Sequence, residues 1–182
     1  SVGMFALALW DAMARRLSLA RDRLGEKPLY YGWQARTLLF GSELVALRRH
    51  PAFRAQVDRE ALSRYLNRGY VAGAKSIYEG VERLPPGSLV HVSAEDAAHQ
   101  RCGDVVSFWK MPTPAQATTD SAALTPRTAA DQLLQLLRDA VRGQMIADVP
   151  LGAFLSGGID SSLIVALMQE ASDRPVKTFT IG

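Results

Sequence analysis

The sequence predicts two incomplete portions in succession: an α+β portion built on antiparallel strands, then the opening of an α/β nucleotide-binding portion. Three observations carry this. Up to about residue 109 short apolar runs alternate with turn residues and short amphipathic stretches. Residues 110–126 contain three prolines and little to bury, the composition of an interdomain linker. Residues 152–181 then read strand, Gly/Ser loop, helix, strand.

Met4 to Trp10 is continuously apolar and predicts a strand buried on both faces. Asp11 to Arg15 supplies a turn, and Leu17 and Leu19 alternate with polar neighbours, completing a hairpin. Leu29-Tyr30-Tyr31 and Thr37-Leu38-Leu39-Phe40 predict a second pair, connected through residues 32–36, with a short helix beginning at Glu43. Asp58 is a suitable N-cap for a helix through Asn67, with Ala61, Leu62, Tyr65 and Leu66 on one face and Gly69 as terminator. Pro85-Pro86-Gly87 forces a turn before a strand over residues 89–92. Beyond the linker, Thr125 precedes Pro126 as an N-cap precedes a first-turn proline, and Ala130, Leu133, Leu134, Leu137, Val141 and Met145 recur at helical spacing. A buried strand at 152–155, a helix over 161–170 and a strand over 176–181 follow.

Composition narrows the class. With 48% hydrophobic and 21% charged residues the chain is neither disordered nor collagen-like. Twenty-one basic against eighteen acidic residues leave +3, and the one basic cluster, Arg15, Arg16, Arg21, Arg23 and Lys27, reads as a solvated hairpin face, so no nucleic-acid partner is expected. Cys102 is the single cysteine, which excludes an intramolecular disulfide and suits a reducing, cytoplasmic compartment. His50, His91 and His99 lie far apart without metal-ligand spacing. No apolar run approaches the roughly 18–20 residues of a membrane span, so no membrane is expected. The chain opens Ser-Val-Gly without an initiating methionine or a signal-peptide pattern, and its single βαβ unit cannot cover both faces of a parallel sheet; it reads as a piece of something longer.

The chemistry concentrates at Ser156-Gly157-Gly158-Ile159-Asp160-Ser161-Ser162. A strand running into a Gly/Ser loop that opens a helix presents backbone N–H groups and the positive helix end to an anion. The glycines admit close backbone approach to phosphate oxygens and the serines offer hydroxyl donors. A Walker A loop requires a lysine beside Ser/Thr, and no lysine lies between Lys110 and Lys177. Asp160 beside phosphate would be repulsive unless Mg²⁺ bridges the two, which makes it the candidate metal ligand. The competing reading is a tight strand-to-helix turn in which Asp160 and the serines only cap the helix.

That heptapeptide resembles the PP-loop ATP pyrophosphatase signature. Its flanks, Asp148-Val149-Pro150-Leu151-Gly152-Ala153-Phe154-Leu155 and Thr178-Phe179-Thr180-Ile181-Gly182, resemble glutamine-hydrolysing asparagine synthetases. Upstream, residues 3–11, 20–31, 42–47 and 84–87 resemble the later part of that family's N-terminal-nucleophile glutaminase domain. The resemblance implies residues 1–109 as the C-terminal part of an α+β glutamine amidotransferase domain, 110–126 as linker, and 127–182 as the start of an α/β PP-loop synthetase domain. It implies a ligase that makes asparagine from glutamine, aspartate and ATP through β-aspartyl-AMP, with Mg²⁺ as cofactor; a homodimer is an assembly it allows. Leu155, Ser156, Gly157, Gly158, Ile159, Asp160, Ser161, Ser162 and Ile181 would then contact ATP, Asp160 through Mg²⁺.

The family's glutaminase nucleophile is an N-terminal cysteine, whereas residue 1 is Ser and leads straight into a mid-domain strand. Cys102 lies near the domain's end and is no replacement. No catalytic residue is therefore assigned, and the 182-residue polypeptide by itself is expected to perform neither half-reaction. An amide- or lactam-forming synthetase acting on another carboxylate, and a non-catalytic ATP-binding relative, are the alternatives. GMP and NAD synthetases share the loop, but residues 3–87 argue against them.

Overall fold

A computed structural model describes residues 3–113 and 125–181. The centre of the expected linker, residues 114–124, lies outside the described residues, as do Ser1, Val2 and Gly182. The chain divides into two compact units, Ser1–Met111 and Pro112–Gly182.

The first unit is α+β with antiparallel sheets. Strands β1 (Ala6–Asp11) and β2 (Arg16–Arg21) form the expected hairpin, with Leu9 opposite Ser18. Strands β3 (Tyr30–Gln34) and β4 (Thr37–Gly41) form the second. The second connection is shorter than its composition predicts. Gly32, Trp33 and Gln34 belong to β3, and the chain reverses through Ala35, at φ 52°, and Arg36. Gly32 pairs with Leu39 within the strand, and only glycine fits there: a Cβ would sit 1.9 Å from the Gly80 carbonyl oxygen. Helices α1 (Leu44–Arg48) and α2 (Arg59–Arg68), the short β5 (Glu82–Arg83), β6 (Ser88–Val92), α3 (Ala94–Ala98) and β7 (Val105–Ser107) follow. One sheet runs β1-β2-β6-β7 and the other β4-β3-β5.

Leu19 and Val90 of the first sheet pack with Tyr31 of the second and with Leu29 and Leu84, so the main core lies where the two sheets meet. A second cluster joins Leu39, Leu47 and Val81. Helix α2 is capped as its sequence predicts. The Asp58 carboxylate accepts from the N–H groups of Glu60 and Ala61, and Gly69 closes the helix at φ 75°. Of its apolar face only Ala61 is fully buried, while Leu62 and Tyr65 line a shallow apolar cleft with Tyr30 and Leu44.

β1 is not buried on both faces: it stands at a sheet edge with Leu7, Leu9 and Trp10 all more than half exposed. An apolar run alone cannot separate a central strand from an edge one, because the difference lies in the neighbours. Arg21 does not share the solvated basic face; it is 6% exposed, because on β2 it lies on the same face as Leu17 and Leu19.

Arg21 and Asp22 form a cage around the 22–28 loop through hydrogen bonds to backbone groups. The guanidinium donates to the carbonyls of Lys27 (2.7 Å), Leu84 (2.7 Å) and Gly25 (2.5 Å). The Asp22 carboxylate accepts from the N–H groups of Phe5, Glu26 and Lys27. Lys27 thus enters through its backbone at both ends. Charged side chains here replace a regular ladder for backbone groups that the loop would otherwise leave unpaired.

In the second unit, helix α4 (Pro126–Gln144) starts at Thr125, whose hydroxyl oxygen accepts from Thr128 N–H. Strand β8 (Gly152–Phe154), helix α5 (Ile159–Glu170) and β9 (Lys177–Phe179) complete the unit, with β8 and β9 parallel. Arg138 of α4 pairs with Glu170 of α5 at 3.0 Å. The expected buried strand is instead exposed. Phe154 and Phe179 face each other across the parallel pair at 6.5 Å between ring centroids, yet are 76% and 56% exposed. Two strands and two helices have too little surface to enclose them.

Candidate functional site

Leu155 follows β8 directly and its N–H donates to the Phe179 carbonyl, extending the parallel pair by one rung. Because the strands are parallel, Leu155 and Ile181 lie beyond the carboxyl ends of the same two strands. Thr180 joins those ends: its hydroxyl donates to the Leu155 carbonyl at 2.7 Å. Thr180 escaped assignment from sequence, since a lone threonine beside a strand end carries no signal until the partner carbonyl is in place. Thr180→Val is expected to lower the stability of the second unit by about 0.5–1.5 kcal/mol, the usual net worth of such a bond, read from urea unfolding. An unchanged unfolding midpoint would show that the bond does not hold the strand ends together.

The chain then turns through Ser156 and Gly157, the latter at φ 80°, and Gly158 becomes the N-cap of α5. The first α5 bond runs from Ser162 N–H to the Gly158 carbonyl. The N–H groups of Ile159, Asp160 and Ser161 precede that ladder and form the positive end of the helix. The capping role weighed for Asp160 and the serines does not appear, for no side chain hydrogen-bonds to the cap N–H groups. The Ser161 and Ser162 hydroxyls instead donate back to the Gly158 carbonyl, at 3.2 and 2.8 Å, and the Ser156 and Ser161 hydroxyls lie 3.1 Å apart.

The loop is open to solvent, with Ile159 87% and Ile181 89% exposed. No atom lies within 4 Å of a Cβ built on Gly157, so the space over the turn is free. Asp160 in the first turn contributes one carboxylate, and among the described residues no three His, Cys, Asp or Glu side chains are placed to share a metal ion. A cation held by protein alone therefore does not fit. Mg²⁺ shared between one carboxylate, phosphate oxygens and water does, because this ion keeps much of its hydration.

In the first unit the one cysteine is half-buried against the main core. Burial pushes the Cys102 thiol above its ordinary value; a hydrogen bond from the Trp33 indole opposes this in part, and the carboxylates of Glu82 and Asp96 add to the rise. A thiol so placed stays protonated at neutral pH and is a poor nucleophile. No helix among the described residues is long and apolar enough to cross a membrane.

An antiparallel α+β unit followed by a strand–loop–helix–strand unit combines two kinds of domain, and comparison with known proteins finds matches to two families in the same order. The chain belongs to the glutamine amidotransferase domain family, which matches residues 1–102, and the asparagine synthase family matches residues 132–182. Over nearly all its length it is similar to glutamine-hydrolyzing asparagine synthetase 3 of Bacillus subtilis, at 33% identity over 184 residues, 98% of this chain and 28% of that protein. Glutamine-hydrolyzing asparagine synthetase 1 of the same organism is 34% identical over 187 residues, 99% of this chain and 26% of the relative. Amidase chyE of Penicillium rubens is 30% identical over 176 residues, 96% of this chain and 24% of the amidase. The chain thus spans about a quarter of the length of these curated relatives.

Proposed function

We propose that these residues belong to a cytoplasmic glutamine-dependent asparagine synthetase. In it, residues 1–109 contribute to the glutaminase, 110–126 link the domains and 127–182 open the ATP-using PP-loop domain. The reaction consumes glutamine, aspartate, ATP and water, and releases asparagine, glutamate, AMP and pyrophosphate. The observation that carries the reading is the placement of the Gly/Ser loop at the carboxyl ends of two parallel strands and at the N-terminus of α5. Ligands of open α/β sheets bind at that edge.

In this reading the N–H groups of residues 157–161 and the hydroxyls of Ser156, Ser161 and Ser162 receive the phosphate oxygens that leave as pyrophosphate. Forming the acyl-adenylate breaks the bond between the α- and β-phosphates and leaves its electron pair on pyrophosphate, so negative charge grows where these donors point. Without a lysine the loop has no point charge of its own; Mg²⁺ bound through Asp160 would supply it by neutralising phosphate oxygens. Leu155 and Ile181, at the two strand ends, would meet the nucleoside part through backbone groups and packing.

Asp160→Ala in the longer protein containing this segment tests the assignment. Aspartate-dependent pyrophosphate release is expected to fall at least about 100-fold, as when one transition-state charge partner is removed. Glutamate release from glutamine should persist, since the altered residue lies in the other unit. Wild-type pyrophosphate release would refute the role of Asp160. Likeness to a named amidase favours a second reading, an amide-forming relative acting on a different carboxylate. Pyrophosphate release with another carboxylic acid but not with aspartate would select it.

A further inference from the structure

We propose, resting on that nucleotide reading, that Thr180 is a positioning residue for the purine base. Its hydroxyl takes the place of the Ile181 N–H in the sheet and leaves that N–H free to select adenine over guanine.

The strand register identifies the bond that is missing. Strands β8 and β9 pair Gly152 with Lys177, Ala153 with Thr178 and Phe154 with Phe179. The Leu155 N–H carries the ladder on by donating to the Phe179 carbonyl at 2.8 Å. In a parallel ladder, a residue that donates to one residue of its neighbour accepts from the residue two further on. The next bond would therefore run from the Ile181 N–H to the Leu155 carbonyl, and it is not made among the described residues. The Leu155 carbonyl accepts from the Thr180 hydroxyl instead, at 2.7 Å.

The substitution satisfies the carbonyl without using the backbone donor. The Ile181 N–H is left without a backbone partner among the described residues, on a residue 89% exposed, beyond the carboxyl end of β9. Ligands of open α/β sheets bind at that end. With phosphates at the loop that follows β8, the base falls to the end of β9. A lone N–H there selects an acceptor. Adenine offers an unprotonated N1 on the edge remote from its ribose, whereas guanine carries a hydrogen at N1, so that donor would face donor. Valine has the shape of threonine without its hydroxyl. In Thr180→Val the Leu155 carbonyl turns to the Ile181 N–H, the ladder closes by one more rung, and the donor is withdrawn from the base. The new rung offsets part of the lost bond, so the stability loss of this variant falls toward the lower end of its range.

Two measurements on the longer protein containing this segment test the proposal. Amide hydrogen exchange read at Ile181 is expected to be fast in the parent and about tenfold or more slower in Thr180→Val, as the amide enters the ladder. In aspartate-dependent pyrophosphate release the same variant should raise KM for ATP about 3- to 10-fold with kcat nearly unchanged, the effect of one hydrogen bond to bound substrate. Its affinity for GTP, measured by competition, should stay as in the parent, so that the preference for ATP shrinks. Thr180→Ser keeps the hydroxyl and should match the parent in both measurements. The proposal is overturned if the Ile181 amide is equally protected in parent and Val variant, or if KM for ATP does not change. It is equally overturned if the affinities for ATP and GTP fall together, which marks a purely structural role, or if the Ser variant behaves like the Val variant. The expected exchange pattern with no ATP-dependent pyrophosphate release by the parent would refute the nucleotide reading, and with it the selection of the base, while the exchange of hydroxyl for N–H in the sheet would stand.

Discussion

Arg21→Ala is expected to destabilise the first unit by about 3–5 kcal/mol, a large share of the roughly 5–15 kcal/mol that holds a domain folded. The guanidinium donates three hydrogen bonds to backbone carbonyls and ties β2 to Leu84, 63 residues away in sequence. Removing it leaves those carbonyls, one of them in a fully buried bond, without partners, and removes the positive charge beside Asp22. Arg21→Lys should recover little, since an ammonium cannot span three divergent acceptors as the planar fork does. Urea unfolding monitored by tryptophan fluorescence reads the loss; a change below about 1 kcal/mol would show that solvent replaces the cage.

The same cage makes stability depend on pH. Burial by itself would raise the Asp22 carboxyl, but the N–H donors of Lys27, Glu26 and Phe5 outweigh it and hold the group below the usual carboxylate range. A depressed folded-state value means that the carboxylate stabilises the fold at neutral pH. That contribution begins to fade as pH falls below about 4 and is lost below the folded-state value. Asp22→Asn, though less stable throughout, should show a flatter acid limb in the same measurement.

Gly157→Val is expected to reduce ATP affinity of the protein containing this segment about 100-fold, the scale on which small misplacement of binding groups acts. The effect is one of backbone alone. No atom stands within 4 Å of a Cβ at this position, so nothing clashes, but φ is 80°. A β-branched residue is disfavoured there by about 1–2 kcal/mol and turns the chain to another conformation. The N–H groups of the following residues then no longer converge. Gly157→Asn should fall between, because Asn tolerates the left-handed region better than Val. Calorimetric titration with ATP ranks the three, and wild-type affinity in the Val variant would remove the loop from the nucleotide site.

Local signals and the structure agree where both ends of an interaction are close in sequence. Asp58 and Gly69 bound α2, Thr125 and Pro126 start α4, and Gly157 and Gly158 turn β8 into α5, each within four residues of its partners. Agreement ends where the partner is distant. The Met4 to Trp10 run has the composition of a central strand, but its position at the sheet edge depends on which strands pair with it. Arg21 has the charge of a surface residue, and its burial depends on the Leu84 carbonyl. Gly32 looks like a turn residue, but it pairs with Leu39 in a strand and is glycine because Gly80 passes against it.

The residues from Ser156 to Ser162 illustrate the division. The order of the two portions, the turn chemistry of the loop and the absence of a lysine that would make it a Walker A site are all legible in the residues alone. These properties depend on residue type and near neighbours, which a chain carries before it folds. That β8 and β9 lie parallel, so that Leu155, Thr180 and the loop gather at one edge, and that the serine hydroxyls bond to the Gly158 carbonyl rather than cap the helix, emerge with the folded chain. Those outcomes rest on hydrogen bonds between distant segments, whose formation is governed by packing and loop closure rather than by local preference.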